Sequence, residues 1–268
     1  MFDPYLQRWQ LVPDGAPIIT HSSHLLPVLY RKQTAMLKVA HVPEELNGAL
    51  LMTWWDGQGS AQVLAHVDNG LLLERAQGPD SLNDYAADGR DEQATRILCQ
   101  TIARLHTPGD RPALPLVDLQ SWFQGLWQAA TVHGNIYRRS AHIAEQLLAT
   151  PWEESVLHGD IHHGNVLDFG PRGWLVIDPK CLYGERTFDY ANLFCNPSPR
   201  IATDVQHFSH RLEIVCDIAK LPRRRLLQWI VAWCGLSAAW FQEDDLQEDA
   251  EPRLQVAQLA LNALEAGI

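Results

Sequence analysis

Three polar residues in segment 156–179 have types and a spacing that could carry out chemistry. Asp160 is followed five positions later by Asn165, and Asp178 ends an apolar run. Two carboxylates and an amide are the groups that phosphoryl transfer from ATP requires. In such a site Asp160 accepts the proton of the attacking hydroxyl, while Asn165 and Asp178 hold Mg²⁺ against the phosphates. His158, Asp160 and Asn165 also fit the pattern H-x-D-x-x-x-x-N at the spacing of a kinase catalytic loop.

A predicted β-hairpin brings the two metal ligands together. Segments 166–167 and 174–177 are rich in strand-forming residues, and segment 168–173 between them has turn chemistry. A hairpin centred near Pro171 and Arg172 pairs positions that sum to about 343 and places Asn165 opposite Asp178. The hairpin therefore predicts a single metal site from two ligands that are distant in sequence.

Two neighbouring features are interpreted as structural. Asp168-Phe169-Gly170 spells the D-F-G tripeptide of protein kinases, but it follows Asn165 too closely for a hairpin and lies in the turn. Asp178 is therefore the better magnesium ligand. His162 and His163 could suggest a metal site, but adjacent histidines point in different directions on most backbones. We expect one of them to be packed and the other exposed.

Composition and charge exclude several classes of protein. With 46% hydrophobic and 20% charged residues, the 268-residue chain is expected to fold as an ordinary globular protein. A net charge of -11 argues against a nucleic-acid partner and is compatible with a cationic substrate. The 5 cysteines show no C-x-x-C spacing, which argues against a zinc site or a disulfide framework. The sequence shows no signal peptide or membrane-spanning run, which favours the cytoplasm, and it leaves the oligomeric state open.

The order of predicted elements indicates an α+β fold with a small β-rich lobe and a larger helical lobe. We assign residues 1–76 to an N-terminal nucleotide-binding lobe, 77–80 to a hinge linker and 81–268 to a helical catalytic and substrate lobe. The first lobe contains a predicted helix at 43–55 and predicted strands at 9–12, 17–20, 25–30, 35–40, 62–66 and 71–74. The second lobe contains predicted helices at 91–106, 120–130, 138–149, 204–219, 222–242 and 254–266.

A lysine and a glutamate of the first lobe are candidates for binding the ATP phosphates. Lys38 lies within the apolar strand Ala35-Met-Leu-Lys38-Val-Ala40, where an unpaired charge is unusual. Glu45 on the following helix is the predicted partner, with Glu44 as the second choice. An outward-facing charge on an edge strand is the alternative for Lys38.

The remaining nucleotide contacts are predicted from their position. Adenine is usually held where two lobes join, so the Glu74 carbonyl and the Ala76 amide are candidates. A glycine-rich phosphate loop is expected between the first strands, but segment 20–26 contains no glycine. Ser22 and Ser23 could supply hydroxyls and amides there, and an ordinary polar turn is an equal alternative.

Together these residues resemble the aminoglycoside phosphotransferase family, and within it the branch of streptomycin 6-phosphotransferases and hydroxyurea phosphotransferases. The resemblance rests on motifs that follow one another through most of the chain: L-K-V-A, W-W-D-G-Q-G, L-L-L-E-R-A, L-H-G-D-I-H-H-G-N, R-G-W-L-V-I-D-P, G-E-R-T-F-D-Y-A-N and L-S-A-A-W.

The resemblance implies a bilobal protein-kinase-like fold that uses ATP and Mg²⁺ without a covalent enzyme intermediate. It implies that Asp160 is the base, that Asn165 and Asp178 are metal ligands, and that Lys38 contacts the α- and β-phosphates. Asp189 in F-D-Y-A matches an aspartate that braces the catalytic loop. The implied acceptor is a small-molecule hydroxyl, such as that of a cationic aminocyclitol like streptomycin.

Three alternatives to an aminocyclitol kinase are open. The chain could phosphorylate another small hydroxyl metabolite, or it could be a non-catalytic pseudokinase, although the complete set of polar residues argues against the latter. A protein kinase is disfavoured because no A-P-E segment follows Asp178. An acidic run could form a wall for cationic groups or a solvated loop: Glu243, Asp244, Asp245, Glu248, Asp249 and Glu251. Four tryptophans are expected to be core rather than ligand-stacking residues: Trp54, Trp55, Trp233 and Trp240.

Overall fold

The N-terminal part of the chain forms a six-stranded sheet in this computed structural model, which describes residues 1–106 and 113–267. The helix α1 (Asp3–Trp9) precedes the sheet, and α2 (Pro43–Trp55) follows its fourth strand. The hydrogen-bonded order is β1-β3-β4-β6-β5, with β2 paired to β3. The strands are β1 (Val12–Pro13), β2 (Ile18–Ile19), β3 (Ser23–Tyr30), β4 (Gln33–Ala40), β5 (Val63–Val67) and β6 (Gly70–Glu74).

Side-chain alternation along β4 gives the sheet two different faces. Leu37 and Val39 belong to a buried apolar cluster that Tyr5 of α1 completes on one side of the sheet. Met36 and Lys38 project to the opposite side, where they line a cavity. The period of two thus explains how a lysine can lie in an apolar strand and still reach a polar site.

The second part of the chain is mainly helical and is organised around one buried helix. Its ten helices are α3 (Leu82–Ala87), α4 (Asp91–Leu105), α5 (Leu119–Trp122), α6 (Gln124–Val132), α7 (Asn135–Ala149), α8 (Phe188–Ala191), α9 (Pro199–Ala202), α10 (Val205–Ala219), α11 (Arg223–Glu243) and α12 (Gln247–Glu265) within the described ranges. Helix α11 packs against α6, α7, α8 and α12. Its Trp229 is fully buried, and that residue donates an Nε1–H bond of 2.7 Å to the buried carboxylate of Glu185. Within the two described ranges, no helix is long and apolar enough to cross a bilayer.

Among the residues that the structure describes, five short strands lie between these helices and position the catalytic segment. They are β7 (Val117–Asp118), β8 (Glu154–Leu157), β9 (Val166–Asp168), β10 (Trp174–Val176) and β11 (Leu182–Glu185). Strand β11 lies between β7 and β8, and β9 pairs with β10 as the predicted hairpin. The amide of Ala61 donates to the carbonyl of Val176 over 2.9 Å, which ties the segment after α2 to this hairpin.

The hairpin register differs from the prediction by one residue. Val166 faces Val176, and the Ile177 amide donates to the Asn165 carbonyl over 3.0 Å, so Asn165 lies opposite Ile177 rather than Asp178. The cause is the turn, in which a 3₁₀ segment at Gly170–Arg172 closes with a bond of 2.9 Å from Phe169 to Gly173. This turn contains an odd number of residues, which shifts the pairing. Asp178 still follows directly after the residue that pairs with Asn165.

Most predicted elements occur, and three of them differ clearly from the prediction. The helix predicted at 43–55 is confirmed as α2. Ser81 is the N-cap of α3, and its side chain accepts from the Asp84 amide. The strand predicted from residue 9 is wrong, because α1 continues to Trp9. The helix predicted at 120–130 is divided into α5 and α6. Helix α12 begins at Gln247 rather than at residue 254 and contains Pro252.

Candidate active site

The catalytic segment begins where β8 ends and is held by a buried carboxylate. Asp189 of α8 accepts backbone N–H bonds from His158 over 2.9 Å and from Gly159 over 2.7 Å. The ring of His158 accepts at Nδ1 from the Asp160 amide over 3.2 Å and donates from Nε2 to the Ile177 carbonyl over 2.8 Å. These bonds require a neutral imidazole, in agreement with burial lowering the pKa of His158. Asp189 therefore braces the loop that presents Asp160.

Two amide side chains orient the carboxylate of Asp160. Asn192 donates from Nδ2 to Oδ1 of Asp160 over 2.8 Å, and Asn165 donates to Oδ2 over 3.3 Å and to the Asp160 carbonyl over 2.9 Å. Burial raises the pKa of the Asp160 carboxyl, although His162 and Lys180 oppose this effect. Asn192 was not predicted from the sequence, where the signal for it was its place at the end of the motif G-E-R-T-F-D-Y-A-N.

Asp178 lies in an electrostatic environment different from that of Asp160. Its backbone has a left-handed φ of 65°, and its carboxylate contacts the ammonium of Lys38. Burial alone would raise the pKa of Asp178, but Lys38 and Lys180 outweigh it and hold the pKa below the usual range. Asp178 is therefore an ionised carboxylate within reach of cations.

The donor atoms at the end of the hairpin suit a hard divalent cation. Asn165 uses its Nδ2 group to bind Asp160, which leaves the amide oxygen as its free acceptor. That oxygen and the Asp178 carboxylate are oxygen donors of the kind that Mg²⁺ selects. The residues therefore fit the predicted metal.

The predicted pair of Lys38 and Glu45 lies in the interior. The two side chains are in direct contact, and Lys38 is 9% and Glu45 4% exposed. Glu45 also accepts from the Ser22 hydroxyl over 3.0 Å and from Lys180 Nζ over 3.3 Å. The side chain of the alternative, Glu44, lies outside the part of the chain that is described. Lys180 was not predicted, because a lysine in a loop is ordinarily a solvated surface charge.

A cavity of about 430 Å³ lies between the sheet, α2 and the hairpin. Every residue predicted to bind the nucleotide lines it, together with Asp178: Ser22, Ser23, Lys38, Glu45, Glu74 and Ala76. Apolar walls suited to a flat base come from Met36, Met52, Leu71, Leu73, Leu167 and Phe169. The Glu74 carboxylate itself is bound by Arg172 and by the Gln62 amide.

Residues 20–23, the serine loop, are ordered by hydrogen bonds among their own polar groups. The Ser23 amide donates to the Thr20 hydroxyl over 3.0 Å, and the Thr20 amide donates to the Ser23 carbonyl over 2.9 Å. The Ser22 hydroxyl is directed at Glu45. This loop therefore resembles an ordinary polar turn in its internal bonds, although both serines lie at the cavity.

A second cavity of about 570 Å³ lies beside the first on the side of the helical lobe, since two of its lining residues, His21 and Lys180, are chain neighbours of residues that line the first. Asp160, His162, Lys180 and Asn192 line its floor. Its opposite wall combines aromatic, acidic and basic side chains from three helices and from the residue after α11. They are Trp122 of α5, then Trp233, Ser237, Trp240, Phe241 and Glu243 of α11, Asp244 after α11, and Arg253 of α12. The cavity therefore joins the predicted base to an aromatic and acidic wall.

The placement of this wall corrects two expectations. Trp55 and Trp233 are buried core as expected, whereas Trp54 is 43% exposed and Trp240 is only partly buried. Trp233 and Trp240 also line the second cavity. Only part of the acidic run is near the cavity, since Glu243 and Asp244 are among the described lining residues and the later acids are not. Glu248, Asp249 and Glu251 lie on α12, not in a loop.

Comparison with known proteins identifies relatives along nearly the whole chain. A family model described as aminoglycoside/hydroxyurea antibiotic resistance kinase matches residues 8–245. Streptomycin 3''-kinase from Klebsiella pneumoniae is 50% identical over 244 residues, which cover 89% of this chain and 91% of that protein. Streptomycin 6-kinase from Streptomyces griseus is 29% identical over 269 residues, covering 94% of this chain and 86% of that protein.

A solved structure shows the same fold at low identity. A thermostable mutant of aminoglycoside phosphotransferase APH(4)-Ia, in a ternary complex with ADP and hygromycin B, gives a TM-score of 0.66 at 13% identity. The match covers 96% of this chain and 97% of that chain. The predicted bilobal, protein-kinase-like architecture is thereby confirmed.

Proposed function

The chain belongs to the aminoglycoside/hydroxyurea antibiotic resistance kinase family and is a small-molecule phosphotransferase, and we propose that it transfers the γ-phosphoryl group of ATP to a hydroxyl of a streptomycin-class aminoglycoside. The observation that carries the proposal is the junction of the two cavities. Asp178 and Lys38 line the cavity suited to a nucleotide, and Asp160 lines the one suited to an acceptor. An acceptor hydroxyl beside Asp160 would therefore lie next to the phosphate end of a bound nucleotide.

The proposed chemistry is a direct displacement. The acceptor oxygen forms a bond to the γ-phosphorus while the bond from that phosphorus to the β–γ bridging oxygen breaks, and ADP leaves. The proton of the hydroxyl passes to the Asp160 carboxylate, which Asn192 holds at Oδ1 over 2.8 Å. Asp160 thus acts as the base, and its neutral hydrogen-bond partners leave it able to accept a proton.

We assign the nucleotide contacts to the first cavity. Lys38 binds the α- and β-phosphates and Glu45 fixes it, while Ser22 and Ser23 flank the phosphates. The Glu74 carbonyl and the Ala76 amide face the adenine edge. Asn165 and Asp178 would hold Mg²⁺, which when bound neutralises phosphate charge and aligns the transferred group.

The similarity to two kinds of streptomycin kinase leads us to a choice of hydroxyl. The relative named streptomycin 3''-kinase is 50% identical, whereas the one named streptomycin 6-kinase is 29% identical. We therefore propose the 3''-hydroxyl of streptomycin as the acceptor. The acidic side chains Glu243 and Asp244 at the rim suit a substrate with several positive charges.

The test is phosphate transfer to streptomycin with ATP and Mg²⁺. Mass spectrometry should detect one added phosphoryl group, and phosphorus NMR should locate it at the 3'' position. The variant Asp160→Asn should lower kcat by about 10²- to 10⁴-fold while ADP still binds, because the base is lost and the nucleotide cavity is not. Transfer to a neutral sugar alcohol without transfer to streptomycin would instead favour the kinase of another hydroxyl metabolite.

A further inference from the structure

A second lysine lies where the two cavities meet. Lys180 follows Asp178 and Pro179, both of which line the nucleotide cavity, and itself lines the acceptor cavity beside Asp160. Its Nζ is 3.3 Å from Oε1 of Glu45, which belongs to the nucleotide cavity. The ammonium group is therefore at the boundary that a phosphoryl group has to cross.

The stem of Lys180 is fixed to the catalytic segment. Its amide donates to the His158 carbonyl over 2.7 Å, and its Cβ packs so close to Gly159 that a Cβ at that glycine would lie 3.1 Å away. The base of the side chain thus moves with the loop that carries Asp160. The flexible four-carbon stem allows the ammonium group to leave the Glu45 carboxylate and bind another anionic oxygen nearby.

A purely structural role does not account for this lysine. Glu45 is already bound by Lys38 and by the Ser22 hydroxyl, and Asp178 is already bound by Lys38. Both carboxylates therefore have a hydrogen-bond partner without Lys180, although its charge helps to keep Asp178 ionised. What it adds is a positive charge among three carboxylates, at the place where the transferred group is most negative.

We propose that Lys180 is a catalytic residue that donates hydrogen bonds to the γ-phosphoryl oxygens during transfer. This inference rests on the proposed function. The lysine remains protonated throughout, since the bond from oxygen to phosphorus forms, the β–γ bridge breaks and the hydroxyl proton goes to Asp160. Lys38, which lines only the nucleotide cavity, has the separate task of holding the phosphates that stay with ADP.

The two lysines can be distinguished by nucleotide affinity without any acceptor. Calorimetry with Mg²⁺ should show that Lys180→Gln weakens binding of the non-hydrolysable analogue AMP-PNP roughly tenfold or more, while ADP affinity changes less than about twofold. The matched control Lys38→Gln should weaken both ligands by similar factors. Equal losses of ADP and AMP-PNP affinity in Lys180→Gln would overturn the proposal, because that pattern indicates a general disturbance of the cavity.

Steady-state kinetics supply the second measurement. Lys180→Gln should lower kcat by about 10²- to 10³-fold, with KM for streptomycin changed less than about threefold. Lys180→Arg should recover part of kcat, because a guanidinium can still donate to phosphoryl oxygens. Unchanged kcat in Lys180→Gln would reject the role. If the wild-type protein does not phosphorylate streptomycin, the nucleotide affinities still decide the role of Lys180, so the two failures are distinguishable.

Discussion

Asp160 and Asp178 are two carboxylates to which the surroundings give opposite properties. Asp160 is bound by the neutral amides of Asn165 and Asn192, and burial raises its pKa. Asp178 contacts Lys38, and the nearby ammonium groups hold its pKa low in spite of burial. Environments that separate two pKa values in this way divide the roles of base and ion ligand between chemically equal side chains. The surroundings of the two carboxylates thus support Asp160 as the proton acceptor and Asp178 as the metal ligand.

The two candidate metal-binding aspartates, Asp178 and Asp168, can be compared directly by substituting each with alanine. Asp178→Ala should abolish Mg²⁺-dependent activity because it removes an ionised ligand. Asp168→Ala should retain activity and lose roughly 1 kcal/mol of unfolding free energy, because the Asp168 carboxylate accepts backbone amides, that of Gly170 over 2.8 Å and that of Asp80 over 3.4 Å. Urea titration and kinetics at several Mg²⁺ concentrations measure both effects. A folded but inactive Asp168→Ala protein would transfer the metal role to the D-F-G tripeptide.

His163 should make the folded state sensitive to acid. It is 1% exposed, and burial, reinforced by Arg211 and His162, holds its pKa well below the usual 6.5. Below pH 6.5 the unfolded chain therefore binds a proton at His163 that the folded chain does not bind. The unfolding free energy is highest above this pH and falls as the pH decreases. Between pH 7.5 and 5.5 the loss should be about 1.4 kcal/mol.

The measurement is urea unfolding of the wild type and of His163→Leu in metal-free buffer. The variant keeps the packing volume but cannot titrate, so its loss between the two pH values should be smaller by about 1.4 kcal/mol. Equal losses in the two proteins would show that His163 is protonated in the folded state.

At the scale of elements, the features that depend on a short segment of sequence could be predicted from the sequence. The alternation along β4, the capped helices and the hairpin carrying Asn165 and Asp178 are all readable from short segments. The hairpin register was wrong by one residue because the prediction assumed an even turn where the chain forms a 3₁₀ segment. Element ends such as the start of α12 depend on packing against α11, which no local pattern encodes.

The two site residues that were missed depend on contacts between distant elements. Asn192 reaches Asp160 because α8 and the short helix after it pack beneath the catalytic loop. Lys180 is drawn inward by Glu45, a residue 135 positions earlier in the chain. A polar side chain whose partner is remote in sequence looks like a surface residue until the fold is known.

One glycine determines how closely α2 approaches the metal-binding segment. A Cβ added at Gly48 would lie 2.3 Å from the Pro179 carbonyl oxygen, so the helix that carries Glu45 would have to move away from Asp178. Gly48→Ala should therefore destabilise the protein by about 1–3 kcal/mol, even though alanine favours a helix by about 1 kcal/mol over glycine. KM for ATP should also rise.

The control is Asn47→Ala, which changes helix propensity on the neighbouring face of α2 without this close approach. It should leave stability and KM for ATP nearly unchanged or slightly improved. If Gly48→Ala stabilises the protein as much as Asn47→Ala does, the contact between α2 and Pro179 is looser than its geometry indicates.

At the scale of the whole molecule, the two lobes contribute unequally to the two cavities. The sheet and α2 supply most of the nucleotide cavity, whereas α11 and the segment after it supply the far wall of the acceptor cavity. The serine loop belongs to both, since Ser22 lines the first cavity and His21 the second. A movement of one lobe relative to the other would therefore change both cavities together, as in other kinases that close around their ligands.

The net charge of -11 gives the last prediction, which concerns where the charge acts. Glu243 and Asp244 line the acceptor cavity, while Asp245 and Glu248 are equally exposed acids outside its described lining. If a wall of carboxylates holds a cationic acceptor, Glu243→Gln with Asp244→Asn should raise KM for streptomycin about tenfold and leave KM for ATP unchanged.

The matched control is the pair Asp245→Asn with Glu248→Gln, which removes the same charge from the same surface. It should raise KM for streptomycin by less than about twofold, because these two side chains lie outside the described lining of the cavity and solvent ions screen exposed charges at physiological salt. Raising the ionic strength should weaken acceptor binding in the wild type and in the control pair, and have less effect in the cavity pair, which has already lost the screened interaction.

Equal increases in KM for both pairs would mean that the acidic surface attracts streptomycin from a distance without contacting it. No increase in either pair would leave the tryptophans of the same wall, Trp122, Trp233 and Trp240, as the groups that bind the acceptor by stacking.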